Sequence, residues 1–170
     1  CREAAFEAAR AARGSGTLVS YDFNVRLKLW PVETARSVIQ AMVELTDIAT
    51  PSLSDAKLIF GDKPARDLAE EILREGVGTV AIKMGAEGCL IATRREALMV
   101  PAFKVQAIDT AGSGDAFDGA LLVGLLEGWD MKKAARFANA AAALKCLGQG
   151  AVGPLPRRGQ VEAFLKEHEE

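Results

Sequence analysis

Histidine is nearly missing from this 170-residue chain, and its one copy, His168, sits in a charged tail. That excludes His-based nucleophile triads and imidazole metal sites. Cysteine is scarce and unpatterned. Cys1, Cys89 and Cys146 are odd in number and show neither CxxC nor metal-ligand spacing. They are expected to be isolated thiols of a reducing compartment. Aromatic residues make up only 6% of the chain and never interleave with basic ones, so a base-stacking platform is lacking. Neither sign of charge dominates: 21 basic against 23 acidic residues gives −2, without a block of like charge. Nucleic acid and membrane surfaces are therefore not expected partners. No apolar run is long enough to span a bilayer and no apolar signal segment opens the chain, so a cytoplasmic location is expected.

What is present is apolar and regularly punctuated. Hydrophobic residues make up 49%, enough for one domain with a core. Residues 2–13 read as an Ala-rich helix stopped by the glycines at 14–16. TLVSYDFN reads as a strand running into a polar loop, and Pro31 as the start of a helix. DIATPSL is a short strand, SDAKLIFG a helical stretch closed by Gly61, and ARDLAEEILREG an amphipathic helix ended by Gly76. TVAIKMG is a buried-type strand with GAEG as its turn, and CLIATRRE with ALMVPAF a hairpin around 94–96. VQAID is expected to be one more strand, and the remainder helical, broken by GQGAVGPLP. The order β-α-β-α-β predicts an α/β domain with a mostly parallel sheet. Such sheets bind ligands at the C-terminal ends of their strands. Three polar or glycine clusters fall at such places: Asp22-Asn24-Arg26, Lys83-Gly85-Gly88 and Asp109 to Asp115.

The third cluster, DTAGSGDAF, carries the chemistry. Gly112 and Gly114 let the backbone turn tightly and leave its N–H groups unobstructed. These converge at a helix N-terminus, where the dipole favours negative charge. A carboxylate beside an anion site is costly unless it has a task, which singles out Asp115. A P-loop is excluded because GxxxxGK[ST] does not occur, and the dinucleotide fingerprint because Phe117 stands at its third position. A phosphate cradle with a base remains. The N–H groups of Gly112, Ser113 and Gly114 would hold charge on a moving phosphoryl group, and Asp115 would take a hydroxyl proton. The plain alternative is that Asp115 merely caps the helix.

DTAGSGDAF closely resembles the D-T-x-G-A-G-D-x-F signature of the PfkB/ribokinase family of carbohydrate kinases, with Ser113 in place of alanine. VAIKMGAEGCL resembles that family's nucleotide-binding strand and turn, and FANAAAALKCLGQGAVGPLP its C-terminal helix and adenine-side loop. YDFNVRLKLW resembles the D-x-N-x-R-x-x-LW segment of 2-keto-3-deoxygluconate kinase-like members. The resemblance covers essentially the whole chain. It implies a ribokinase-like three-layer α/β/α fold, present as its C-terminal, nucleotide-binding part, and an ATP-dependent kinase acting on a sugar or sugar acid.

The resemblance also implies roles. Asp115 would be the base, with Gly112, Ser113 and Gly114 as the anion hole. Lys83, Gly85, Gly88, Asn139 and Gly150 would lie along the nucleotide. Lys83 could instead be a solvated strand-end lysine, and Asn139 an exposed polar residue. Asp109 and Thr110, with main chain near Gly148 and Gly150, resemble a monovalent-cation site, so K⁺ joins ATP and Mg²⁺ as a cofactor. The family's Asn-x-x-Glu element falls on Ser52-Leu53-Ser54-Asp55, and Asp55 would accept a Mg²⁺-bound water. It could equally cap the short helix. Asp22, Asn24 and Arg26 would touch substrate. The Arg26 fork suits a carboxylate such as that of 2-keto-3-deoxygluconate, unless it is spent on a surface ion pair. Leu29 and Trp30 read as core beneath this loop. Fructokinase-, ribokinase- or adenosine kinase-like activity is the alternative, as is a nucleotide-binding module without turnover.

Members of that family are nearly twice this length, and their N-terminal half supplies the first strands, a sugar-binding glycine pair and a β lid. The 170 residues alone are expected to be poorly active, because lid closure is what excludes water from the transfer. The uncovered sheet edge predicts self-association into a homo-oligomer.

Overall fold

The computed structural model describes residues 1–168. The elements are α1 (Arg2–Gly14), β1 (Ser20–Tyr21), α2 (Val32–Val43), β2 (Ile48–Ala49), α3 (Leu53–Phe60) and α4 (Ala65–Arg74). They continue as β3 (Thr79–Lys83), β4 (Cys89–Ala92), β5 (Ala97–Val100), α5 (Ser113–Leu126), α6 (Met131–Cys146) and α7 (Arg158–Glu167). The five strands form one mixed sheet in the order β1-β2-β3-β4-β5, with flanking helices. The chain divides into two compact units. One is Cys1–Lys83 with Leu90–Ala97, the other Met84–Cys89 with the chain from Leu98 onward.

In the first unit β1, β2 and β3 run parallel, with Ser20 opposite Ile48 and Ile48 opposite Thr79. Val80, Ala81 and Ile82 of β3 are all buried, so the strand does not alternate in the way of a sheet with one wet face. Helix α4 explains itself by spacing. Leu68, Ala69, Ile72 and Leu73 form one buried stripe, while Arg66, Glu70 and Arg74 face out. With Ile39, Val43 and Ile59 they form a core in which each large side chain contributes about 1.5–3 kcal/mol. Helix α2 begins after Pro31 and α3 after Ser52, whose Oγ accepts the Asp55 N–H at 3.0 Å.

The second unit is helical. Helices α5 and α6 pack against each other along their lengths, and α7 packs on α6. Phe137, Ala140, Ala141 and Val161 form a cluster covered by Phe103, Trp129 and Phe164. The Ala-rich face of α6 permits this close approach.

Two expectations need correction. The segment 105–109, expected to be a strand, has no ladder partner among the described residues. Its end is held instead by α6, because the Cys146 carbonyl accepts from Ile108 N at 2.8 Å and Asp109 N at 3.3 Å. Leu29, read as core, is 81% exposed. The chain turns at 27–30, and Phe23 and Val25 are the residues that go inside.

Candidate active site

In the first unit three loops meet at the C-terminal ends of three parallel strands. Asp22 follows β1, Ser52 follows β2, and Lys83 ends β3. Lys83 N donates to the Pro51 carbonyl at 2.9 Å, and Ser52 and Lys83 form an isolated parallel bridge. The Lys83 ammonium lies 2.9 Å from Asp22 Oδ2, and its side chain is only 14% exposed. It is therefore not a solvated strand-end lysine. Beside it, Tyr21 has its hydroxyl pushed up to about 12 by burial and by the Asp22 charge.

Asp55 does not cap α3, since Ser52 does, and Ser52 Oγ also lies 2.9 Å from Ser54 Oγ. Asp55 is acidic in the first turn, where the helix dipole favours it, and its carboxylate carries no hydrogen bond or ion pair among the described residues. Nearby, Asn24 takes the left-handed backbone at φ 43°. The exposed Arg26 guanidinium reaches only the Val25 carbonyl, at 2.9 Å. The surface ion pair weighed for Arg26 is thus not formed among the described residues.

In the second unit the glycine turn has a defined geometry. Gly112 is the N-cap of α5 at φ 78°, and a Cβ there would lie 2.9 Å from the Ala151 carbonyl oxygen. No side chain caps the helix. Asp115 therefore sits within the first turn, exposed, and is not a cap. Ser113 N is used inside the turn, donating to Thr110 O at 3.1 Å. The N–H groups of Gly112, Gly114 and Asp115 have no acceptor among the described residues. Unpaired donors at a helix N-terminus form a ready site for an anion. Asp115 also lines a groove of about 320 Å³ with Phe137 and Val161. A larger groove of about 610 Å³, between α4 and the β4–β5 turn, contains none of the candidate residues, so cavity size does not mark this site.

The other Asp of the turn is fully engaged. Asp109 Oδ1 accepts from Ala111 N at 2.9 Å and Oδ2 from Gly150 N at 2.8 Å. These two N–H donors hold its carboxyl below the usual carboxylate range, with a smaller contribution from Lys145. The Gly150 N–H is thereby committed to the turn. Asn139 is not exposed. It is 6% accessible, and its amide donates to the Val100 and Pro101 carbonyls at 3.0 and 3.1 Å. Gly88 takes φ 99°, where a Cβ would collide with the Val100 carbonyl, so the turn after β3 admits no side chain there. Gly85 adopts φ 59° in open space.

One residue escaped the sequence reading. Lys145, in the last turn of α6, is fully buried, and its Nζ donates to the Asp109 carbonyl at 2.7 Å. The available signal was a lone cationic residue after an alanine run.

The chain matches the family model described as pfkB family carbohydrate kinase over residues 1–158. It is 35% identical over 175 residues to Fructokinase-1 of Oryza sativa subsp. japonica, covering 98% of this chain and 54% of that protein. It is 33% identical over 155 residues to the 2-dehydro-3-deoxygluconokinase of Bacillus subtilis (strain 168), covering 90% and 48%. A ribokinase II candidate from E. coli, solved with ATP and Mg²⁺, superposes with a TM-score of 0.88 at 28% identity, over 95% of this chain and 52% of its own. A double mutant of the fructokinase from Vibrio cholerae O395, solved with fructose, ADP and potassium, gives 0.87 at 29%, over 94% and 54%. The chain spans about half the length of the relatives it matches. The family and the ribokinase-like fold expected from DTAGSGDAF are borne out: this chain belongs to the pfkB family of carbohydrate kinases.

Proposed function

We propose that the protein to which this chain belongs transfers the γ-phosphoryl group of ATP to a hydroxyl of a sugar or sugar acid, with 2-keto-3-deoxygluconate favoured. The observation that carries this is the first turn of α5. An exposed, uncommitted Asp115 carboxylate stands beside N–H groups that have no acceptor. The helix dipole favours a first-turn carboxylate here as it does at Asp55, and transfer chemistry uses the same pair as base and anion site. Asp115 accepts the proton of the attacking hydroxyl. The N–H groups of Gly112 and Gly114 hold negative charge as it develops on the phosphoryl oxygens, with that of Asp115 beside them. Lys83, Gly85, Gly88, Asn139 and Gly150 are assigned to the nucleotide side. Asn139 acts there by fixing the end of β5 from within α6.

Magnesium, when bound, neutralises charge shared between the phosphates. Among the described residues no group of His, Cys, Asp or Glu is gathered as a metal cluster. A single unengaged carboxylate, Asp55, fits an ion that keeps its water shell and meets the protein through water. The sugar acid is favoured over a neutral sugar because the Arg26 guanidinium has no carboxylate partner of its own and offers a fork for one. Fructose is the second reading, supported by the fructokinases among the relatives. Asp22 and Asn24 share the substrate loop, and Asp22 orients Lys83.

The test is a panel of sugars and sugar acids assayed with Mg-ATP on the full-length protein. Asp115→Asn is expected to lower kcat by at least about 10²-fold with ATP affinity nearly unchanged. A wild-type protein that binds ATP and phosphorylates nothing in the panel would leave a nucleotide-binding module in place of a kinase.

A further inference from the structure

We propose that the groove of about 610 Å³ between α4 and the β4–β5 turn binds a small organic phosphate carrying two anionic groups. This site is separate from the candidate active site and stands whether or not the kinase reading holds.

Four arginines line the groove. Arg66 and Arg74 come from α4, and Arg94 and Arg95 from the β4–β5 turn. Positions 66, 70 and 74 are each one turn apart, so Arg66, Glu70 and Arg74 share one stripe of the helix. Ala69 and Leu73 beside that stripe are buried, and with Ala92 they form an apolar floor. The turn is fixed by Thr93. Its N–H donates to the Glu96 carbonyl at 2.9 Å, and its hydroxyl accepts from Arg95 N at 3.3 Å. All of these residues belong to the first compact unit.

The charge of the groove is unspent. None of the four guanidiniums has a hydrogen bond or ion pair among the described residues. Two carboxylates in the same groove leave them so. Glu70 stands one turn from each α4 arginine and pairs with neither, and the Glu96 carboxylate is unpaired as well. A single unpaired arginine on a surface calls for no ligand. Four around one concavity repel one another, and a cleft with walls of one sign focuses its field on the space between them. The lining carries four positive charges against two negative, in a chain whose net charge is −2. Arg66 also lies in the first turn of α4, where the helix dipole favours an anion over a cation.

The chemistry of the walls gives the ligand class. A guanidinium is a planar fork that meets phosphate oxygens two at a time. Two arginines from each side suit a molecule with an anionic group at either end. The volume falls within the range of small-molecule sites, roughly 300–1,000 Å³, and exceeds what a lone phosphate fills. Glu70 and Glu96 interrupt the basic surface, which disfavours the continuous charged backbone of a nucleic acid. None of the residues assigned to the nucleotide, the base, magnesium or the sugar lines this groove.

The full-length protein is titrated calorimetrically with glucose 1,6-bisphosphate and with inorganic phosphate at fixed ionic strength. Each titration is run with and without a saturating, non-hydrolysable ATP analogue and Mg²⁺. The bisphosphate is expected to bind at least about tenfold more tightly than inorganic phosphate, with or without the analogue. Arg94→Ser with Arg95→Ser, and separately Arg66→Ser with Arg74→Ser, are each expected to weaken it at least about tenfold. The four side chains are exposed, so melting temperature and basal turnover are expected to stay unchanged. Glu70→Gln removes a charge of the ligand's own sign at constant volume and is expected to tighten binding. Equal binding of the two probes, displacement by the analogue, or a double variant that binds as wild type does overturns the proposal. So does an oligoribonucleotide or polyglutamate held more tightly than the bisphosphate through the same arginines. If a double variant does not fold, Glu70→Gln decides, and unchanged or weaker binding then overturns the proposal. Failure of the kinase reading would appear separately, as absence of turnover with every sugar, and would leave the titrations intact.

Discussion

Asp109 and Asp115 stand six residues apart in one turn and have opposite environments. Asp109 is consumed by two N–H donors and Asp115 by none. Because Asp109 has a lowered value in the folded chain, it adds stability above the usual Asp range. That stability is lost as pH falls through the lowered value. Wild type is thus expected to destabilise in acid, as pH falls below the ordinary Asp range, more steeply than Asp109→Asn, as read from urea midpoints against pH. Asparagine keeps one acceptor and turns a donor toward the other N–H, so the variant should also be weaker near neutrality. Thiol chemistry gives a second check. Burial pushes the Cys89 thiol up to about 12, while Cys1 is exposed. An alkylating reagent at mildly alkaline pH is expected to label Cys1 and spare Cys89 until the chain unfolds, as read by peptide mass mapping. The turn glycines and Asp115 were legible in the sequence because turn chemistry is local. Lys145 was not, since its meaning depends on a carbonyl 36 residues away.

Among the elements, α6 organises the second unit. It supplies Phe137 and Val161's alanine neighbours to the core, Asn139 to the end of β5, and its C-terminal carbonyl to the segment before α5. Asn139→Ala would leave the Val100 and Pro101 carbonyls without that donor and is expected to cost about 1–3 kcal/mol, measured by chemical denaturation. Most elements were readable from period and punctuation. Gly61 closes α3, and the stripe Leu68, Ile72 marks α4. The failure at 105–109 has a physical cause. A short alternating run satisfies the strand pattern, yet only a neighbour with free backbone groups makes it a strand, and here the available acceptor was a helix end. Leu29 failed because the chain turns at 27–30 and carries that side chain out to solvent, which an apolar residue beside Trp30 does not reveal.

At the scale of the whole molecule, the chain covers about half of each matched relative, and the candidate residues lie in two compact units. The 170 residues alone are expected to bind Mg-ATP weakly, to phosphorylate little and to self-associate. Calorimetry, a coupled kinase assay and light scattering check these in turn. Robust turnover by a dilute monomer would contradict them. The fold was legible at this scale because DTAGSGDAF and its flanking segments recur together. The sugar was not, because the best handle among Asp22, Asn24 and Arg26 is the Arg26 fork, and a guanidinium points to a carboxylate rather than to one particular sugar acid.

The Cys146 carbonyl, shared by two amides, also provides a spectroscopic handle. Among the described residues of 101–110, only Ile108 and Asp109 have an acceptor for their N–H groups. Deuterium exchange should therefore find two slow amides in a stretch that otherwise exchanges fast. Their protection measures how often the end of α6 lets go of the segment that leads into the glycine turn.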